Sequence, residues 1–238
     1  MSRRPIRGET FLNISLPKQL ESKLAPGRRP REHRQRMGGE YGLFFSQSLR
    51  SISVTASLFP SSRFLASALL RPIDFASAQV IVELGIGTGA ITKEILRRLN
   101  PDAVLLGVDL NPAFVSHVKR NIQDSRFIPV LGQAERLGAL LSRHGIARAD
   151  AIVSSLGLTA MHPSQRTTIL KQAAAHLTEE GVLTQYQYLH ASGKPNWATS
   201  LGLVRFAEKE FLKAHFRQVA TERVLWNLPP AKVYTCRF

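Results

Sequence analysis

The stretch Ile81-Val82-Glu83-Leu84-Gly85-Ile86-Gly87-Thr88-Gly89-Ala90-Ile91-Thr92 constrains the fold more than any other part of the chain. An apolar run that reads as a buried strand passes through a glycine turn and directly into a helical pattern. Glycines at 85, 87 and 89 permit positive φ angles and let main chain approach a ligand where any Cβ would collide. Such a turn is either a seat for a ligand or a device for packing a helix tightly onto a strand, and its surroundings decide which.

Those surroundings are a succession of similar units. From Val80 onward, short apolar runs alternate with helical patterns, as βα units on a parallel sheet do. Strands are expected at Val80 to Leu84, Val104 to Asp109, Arg126 to Leu131, Ala151 to Ser154 and Gly181 to Tyr188. Helices are expected at about Gly89 to Leu99, Ala113 to Gln123, Ala134 to Ser142 and Pro163 to Leu177, with Pro163 in a first turn, where its missing N–H costs nothing. After a further helix near Val204 to His215, the segments Val219 to Trp226 and Lys232 to Arg237 are linked only by Asn227-Leu228-Pro229-Pro230. A link that short allows only antiparallel pairing. The expected fold class is α/β: a Rossmann-like sheet of seven strands, mostly parallel, with an antiparallel C-terminal hairpin and helices on both faces.

The N-terminal part differs. Residues 1–39 mix Lys18, Lys23, Arg28, Arg29, Arg31, Arg34 and Arg36 with Pro17, Pro26, Pro30 and Gly38-Gly39. High charge with helix breakers offers little area to bury, so this reads as a mobile basic arm, or as a solvated tail with no role, with room for a short amphipathic helix around Phe11 to Leu24. Residues 40–75 turn apolar, with Phe44 and Phe45, and Ser61 or Ser62 can cap a helix running to about Leu70. Two short helices, acting as a lid or facing a membrane, are therefore expected before a catalytic domain at 76–238.

Asp109 closes the second strand about 20 residues past the glycines, where a carboxylate can accept both hydroxyls of a ribose. Together with the glycine turn it indicates an adenosine-containing ligand. The Gly-x-Gly-x-Gly spacing after an acidic residue resembles motif I of class I S-adenosylmethionine-dependent methyltransferases and differs from that of nicotinamide and flavin sites. Gly132-Gln133-Ala134-Glu135 is similar to the family's third motif and Ser154-Ser155-Leu156-Gly157-Leu158 to its fourth. The resemblance implies S-adenosyl-L-methionine as cofactor. It implies that Glu83 orients the methionine amino group, that Gly85 and Gly87 underlie the methionine, and that Asp109 holds the ribose. It further implies that Gln133 and Ala134, in the motif that borders the adenine, and Ile86, Gly89, Leu110 and Ser154 bind the cofactor. Gln133 stands where the family usually has an acid.

A narrower resemblance runs from about residue 40 to the end. Phe59-Pro60-Ser61-Ser62-Arg63, the Ser-Leu-Gly-Leu stretch, Gln185-Tyr186-Gln187-Tyr188 and Trp226-Asn227-Leu228-Pro229-Pro230-Ala231 are similar to bacterial phospholipid N-methyltransferases, which convert phosphatidylethanolamine toward phosphatidylcholine. Ribosomal RNA adenine dimethyltransferases share the layout. Gly157 departs from both, which commonly carry proline there.

Substrate chemistry narrows the choice. An adenine amine calls for a polar group such as Asn or Asp and a stacking aromatic, and Ser155 and Leu158 are neither. A lipid amine needs only to lose its proton and be aligned with the methyl group. Tyr186 and Tyr188 fall on one face of the last parallel strand by the two-residue period. They either hold a cationic amine by cation–π attraction or fill the core. Ser155 is the third candidate catalytic residue, and Tyr41 and His190 are weaker ones.

Composition sets the partners. The chain has 238 residues, 44% of them hydrophobic, enough for one core and an extension, and a net charge of +15 that draws anionic membrane or RNA phosphates. The single cysteine, Cys236, excludes an internal disulfide, and no Cys/His cluster suggests a metal. Met1 to Arg7 is not followed by a secretory apolar segment, and no run nears the about 20 residues of a membrane span. The expectation is a cytoplasmic enzyme lying on the inner membrane face and methylating a phospholipid amine. An RNA or protein methyltransferase, and a cofactor-binding protein without turnover, are the alternatives.

Overall fold

The structure is a computed structural model, and it describes residues 61–189 and 207–238. The expectations for residues 1–60, including Tyr41, Phe44 and Phe45, and for His190, lie outside these.

The described elements, in chain order, are α1 (Ser61–Leu70), β1 (Val80–Leu84), α2 (Ala90–Arg98), β2 (Val104–Asp109), α3 (Pro112–Asn121), β3 (Phe127–Leu131), α4 (Leu137–Arg143), β4 (Ala149–Ser154), α5 (Pro163–His176), β5 (Leu177–Tyr188), α6 (Glu208–Lys213), β6 (Gln218–Val224) and β7 (Ala231–Arg237). They form one seven-stranded sheet of order β3-β2-β1-β4-β5-β7-β6. The first five strands pair in parallel, and β7 is antiparallel to both β5 and β6. The fold class is the expected one.

Strand side chains alternate between two cores, as the pleat requires. Ile81, Leu105, Val153 and Val182 pack with Leu65, Leu69, Ile95 and Val118 of α1, α2 and α3 on one face. Val82, Leu106, Ile152 and Leu183 pack with Leu141, Ile169, Leu170 and Leu212 of α4, α5 and α6 on the other. Each large apolar side chain so buried contributes ~1.5–3 kcal/mol, which is why near-continuous apolar strands need helices on both faces.

Helix ends follow local chemistry. Asn111 precedes Pro112 and caps α3, its side chain accepting a bond from Ala113 N at 2.9 Å. His162 caps α5 ahead of Pro163. At the end of α2, Arg126 donates to Leu96 O at 2.9 Å and to Asp124, so it leaves the strand that was expected to include it. The helix expected at Ala134 starts instead as a 3-10 turn over Ala134–Arg136.

β1 pairs with β2 on one side and with β4 on the other, so the strand order reverses there. At such a reversal the loops leaving the two strands diverge and open a crevice beyond their C-terminal ends, which is where ligands bind in sheets of this kind.

Candidate active site

Gly85, Gly87 and Gly89 have φ of 84°, 51° and 83°, and their surroundings differ. A Cβ on Gly89 would lie 2.8 Å from Ile122 Cδ1 and 3.1 Å from Val118 Cγ1, so this glycine lets α2 and α3 close together. A Cβ on Gly85 would stand 3.3 Å from Leu156 Cδ2, in the turn after β4. A Cβ on Gly87 would meet nothing within 4 Å. One turn therefore combines a packing device at Gly89 with uncovered main chain at Gly87. Ile86 buries its side chain over Gly107, where an added Cβ would come within 2.6 Å of it, and so offers a ligand its main chain.

Two carboxylates stand beside this main chain. Glu83 is fully buried, and its Oε2 accepts a bond from Thr92 Oγ1 at 2.7 Å while Oε1 has no partner. Burial pushes the Glu83 carboxyl up to about 8, against the pull of the Thr92 bond, and the neighbouring Asp109 charge adds to the rise. Asp109 Oδ2 accepts a bond from Gly87 N at 3.0 Å and Oδ1 one from Asn111 N at 2.8 Å. Burial holds its carboxyl above the usual range although backbone bonds from Asn111, Gly87 and Leu110 pull it down. No lysine or arginine is among the groups that shift either carboxyl. Two carboxylates raised by burial, with the Asp109 charge adding to the rise at Glu83, form a site that a cation would relieve. Asp109 also braces the glycine turn, and with about four acceptor positions on a carboxylate it keeps capacity for more donors.

The next two strand ends complete the rim. Gly132 N donates to Asp109 O at 3.0 Å, and a Cβ on Gly132 would lie 2.8 Å from Leu140 Cδ1, so this glycine is a packing position. Gln133 is exposed, Ala134 is half-buried against the core, and Leu110 and Leu131 are exposed at the ends of β2 and β3. Apolar edges with an amide suit a flat base.

On the other side of the crevice, Ser155 N donates to Leu84 O at 2.8 Å, joining the exit of β4 to β1. Ser154 is buried, and its hydroxyl accepts a bond from Leu156 N at 3.4 Å, so it shapes the turn. Ser155 Oγ is buried without a partner. Gln185 Nε2 donates to Leu156 O and to Tyr186 O, each at 2.8 Å, and pins the turn to β5. Tyr186 and Tyr188 do share a face; their rings meet edge to face at 5.3 Å and pack on the α1 side of the sheet. Burial raises both hydroxyls above their ordinary value of 10, so they stay protonated, a state in which a phenol can donate a bond but not act as a base.

Thr92, Asn111 and Gln185 were not singled out by sequence reasoning. Asn111-Pro112 carries a helix-start signal that could have found it. Thr92 and Gln185 act through space and carry no local signal.

Residues 81–181 match the family model described as a methyltransferase domain. The 1,6-didemethyltoxoflavin-N1-methyltransferase of Burkholderia thailandensis, solved with S-adenosylhomocysteine, has a similar fold, with TM-score 0.59 and 19% identity over 96% of this chain and 92% of that one. Human N-acetylserotonin methyltransferase with S-adenosylmethionine is also similar, with TM-score 0.55 and 14% identity over 80% of this chain and 55% of that one. The ornithine lipid N-methyltransferase of Singulisphaera acidiphila is 30% identical over 199 residues, covering 83% of this chain and 96% of that enzyme. A ribosomal RNA small subunit methyltransferase H of Syntrophobacter fumaroxidans is 34% identical over 83 residues, 34% of this chain and 26% of that one.

The chain belongs to the class I S-adenosylmethionine-dependent methyltransferases, and S-adenosylmethionine is its cofactor. Within that class it resembles the lipid N-methyltransferases, a likeness that covers 83% of the chain.

Proposed function

We propose that this enzyme methylates the amine of a membrane-lipid headgroup, of the phosphatidylethanolamine or ornithine-lipid type, from the cytoplasmic face of the membrane. The observation that carries the reading is the match to an ornithine lipid N-methyltransferase over 83% of this chain, where the ribosomal RNA relative matches 34%. The exit of β4 agrees: Ser155 and Leu158 offer an extruded adenine neither an amide or carboxylate nor a stacking ring.

In this reading, Glu83 Oε1 accepts bonds from the amino group of the methionine moiety, the main chain of Gly85, Ile86 and Gly87 lies beneath that moiety, and Asp109 accepts the ribose hydroxyls. Leu110, Gln133 and Ala134 border the adenine, and Ser154 and Gly89 keep the two walls in shape. The bound cofactor supplies a methyl group on a positively charged sulfur.

The remaining residues handle the amine. A headgroup ammonium resembles lysine, with a pKa of about 10.4, and a dry pocket lowers that value by disfavouring the charged form. The Tyr186 and Tyr188 faces attract the ammonium on entry, and Ser155 Oγ accepts an N–H bond once the amine is neutral, aiming its lone pair. The N–C bond forms as the S–C bond breaks, S-adenosylhomocysteine leaves, and the surplus proton passes to water. Alignment at roughly 3–3.5 Å can supply ~7–11 kcal/mol, so no strong base is required.

Methyl-labelled cofactor offered with vesicles of phosphatidylethanolamine, vesicles containing ornithine lipid, and total RNA tests the reading. Label in either lipid amine supports it; label in RNA alone overturns it.

A further inference from the structure

Among the described residues, three of the seven large apolar side chains left in water sit on one turn. Leu225, Trp226 and Leu228, on the turn between β6 and β7, are 62%, 82% and 61% exposed. Scattered exposed leucines are ordinary, whereas a tryptophan and two leucines on one turn form a patch. The turn is built to present them. Asn227 is buried at its centre and donates from Nδ2 to Pro229 O at 2.7 Å, which turns its neighbours outward.

The patch lies at the acceptor end of the sheet. Ala231, just after the turn, pairs with Tyr188, and Leu189 N donates to Pro230 O at 2.8 Å, so the foot of the turn adjoins the strand end that carries the tyrosines. A second apolar group points the same way. The residue after α1, Arg71, pairs with Glu222, and the next, Pro72, accepts a bond at its carbonyl from Arg237 at the far end of β7. The first turn of α1 therefore faces the patch end, with Phe64 52% exposed there.

Charge singles out the partner. Arg223 is exposed on β6 two residues before Leu225, Arg63 is exposed in the first turn of α1, Glu222 is tied to Arg71, and the chain as a whole carries +15. An apolar tip next to an exposed arginine on a strongly basic protein complements an anionic bilayer: indole and leucyl groups settle at the headgroup boundary while arginines meet phosphate.

We propose that the β6–β7 turn is a membrane anchor, in which Leu225, Trp226 and Leu228 insert among the headgroups of an anionic bilayer while Arg63 and Arg223 contact its phosphates. The anchor brings the acceptor side of the crevice to the lipid surface. It rests on the lipid-amine reading of the function.

The test uses the full chain with Trp197→Phe, so that Trp226 alone fluoresces. Vesicles of phosphatidylglycerol are expected to shift its emission to the blue, and brominated lipid to quench it. The combined change Leu225→Ser, Trp226→Ser and Leu228→Ser is expected to weaken vesicle binding about tenfold or more, with cofactor affinity and turnover on a monomeric short-chain lipid amine retained. Phe238→Ser, at the opposite end of the sheet, is expected to leave vesicle affinity within about twofold. Unchanged vesicle affinity of the triple variant overturns the anchor, as does a blue shift that grows with protein concentration in the absence of lipid, which would assign the patch to a second copy of this chain. The two readings fail separately. If Trp226 enters vesicles but no lipid amine is methylated, the anchor stands and the substrate reading falls; if lipid amines are methylated while Trp226 stays in water, the substrate reading stands and the anchor falls.

Discussion

On the β1–β2 side of the crevice the carboxylates are tied in place, Glu83 by a bond from Thr92 to Oε2 and Asp109 by the amides of Gly87 and Asn111, so that Glu83 Oε1 alone is buried there without a partner among the described residues. On the β4–β5 side, Ser155 Oγ and Thr184 Oγ1 are buried without partners, and the two tyrosines touch each other. A cofactor common to a whole enzyme class can be met by a seat whose donors and acceptors are fixed in advance. An acceptor that differs between enzymes is met by polar atoms that its own amine completes. The contrast makes the first side rigid and the second dependent on what binds.

The severest way to break this contrast is Asp109→Ala. It strips Gly87 N and Asn111 N of their acceptor and takes away the proposed ribose contact, and bonds to a charged acceptor are worth ~1.5–3 kcal/mol each. Cofactor affinity is expected to fall about a hundredfold or more. Titration calorimetry at constant unfolding midpoint checks it, and a parental affinity would remove the ribose assignment.

The glycines divide the tied side more finely. In Gly89→Ala the new methyl meets Ile122 and Val118, so the fold is expected to lose ~1–3 kcal/mol from crowding on top of the ~1–2 kcal/mol of left-handed backbone. In Gly87→Ala the methyl enters open space, so the fold should lose only the ~1–2 kcal/mol of left-handed backbone. Cofactor affinity should nevertheless drop about tenfold, because the methyl occupies the face proposed for the methionine. Urea unfolding and cofactor titration of both variants would expose a wrong assignment if Gly87→Ala bound as tightly as the parent.

Much of this was legible before any coordinates. β1 and β2 fall on the expected residues because each is an apolar run cut sharply by glycine or aspartate. β5 begins at Leu177, earlier than expected, because the backbone already pairs Leu177 with Ala149 before a register shift, and pairing across a bulge leaves no mark on local pattern. β6 ends at Val224, so Leu225 and Trp226, which the expected strand Val219 to Trp226 included, sit in the turn. Their apolar character reads as strand in sequence and as exposed surface in space. The glycine turn and Asp109 were visible because the constraint is local; Thr92 and Gln185 reach their partners only through the fold.

A gentler probe of the tied side is pH. Glu83, raised from 4.5 to about 8, keeps its proton in the folded cofactor-free enzyme where the unfolded chain has lost it. The folded state thus binds more protons between those values, and this group's contribution to stability is full below about pH 4.5 and is lost as pH rises through about 8. Glu83→Gln is expected to flatten that fall, measured as unfolding midpoint against pH. Since the cofactor's amino group needs the ionised carboxylate, affinity should rise with pH, by at most about tenfold per unit, up to that value. A pH-independent affinity would separate Glu83 from the methionine end.

The smallest effect is the most discriminating for the open side. Ser155→Ala removes a buried hydroxyl that has no partner in the free enzyme. Burying such a group costs ~1–3 kcal/mol, so the variant should be as stable as the parent or about 1 kcal/mol more so. Its kcat should fall only a fewfold, about threefold to tenfold, with cofactor affinity unchanged, because the amine loses one guiding bond. A gain in unfolding midpoint with a loss in turnover is what a site awaiting its substrate predicts. If Ser155→Ala were instead less stable than the parent, the hydroxyl would already be tied, and the two sides of the crevice would not differ as described.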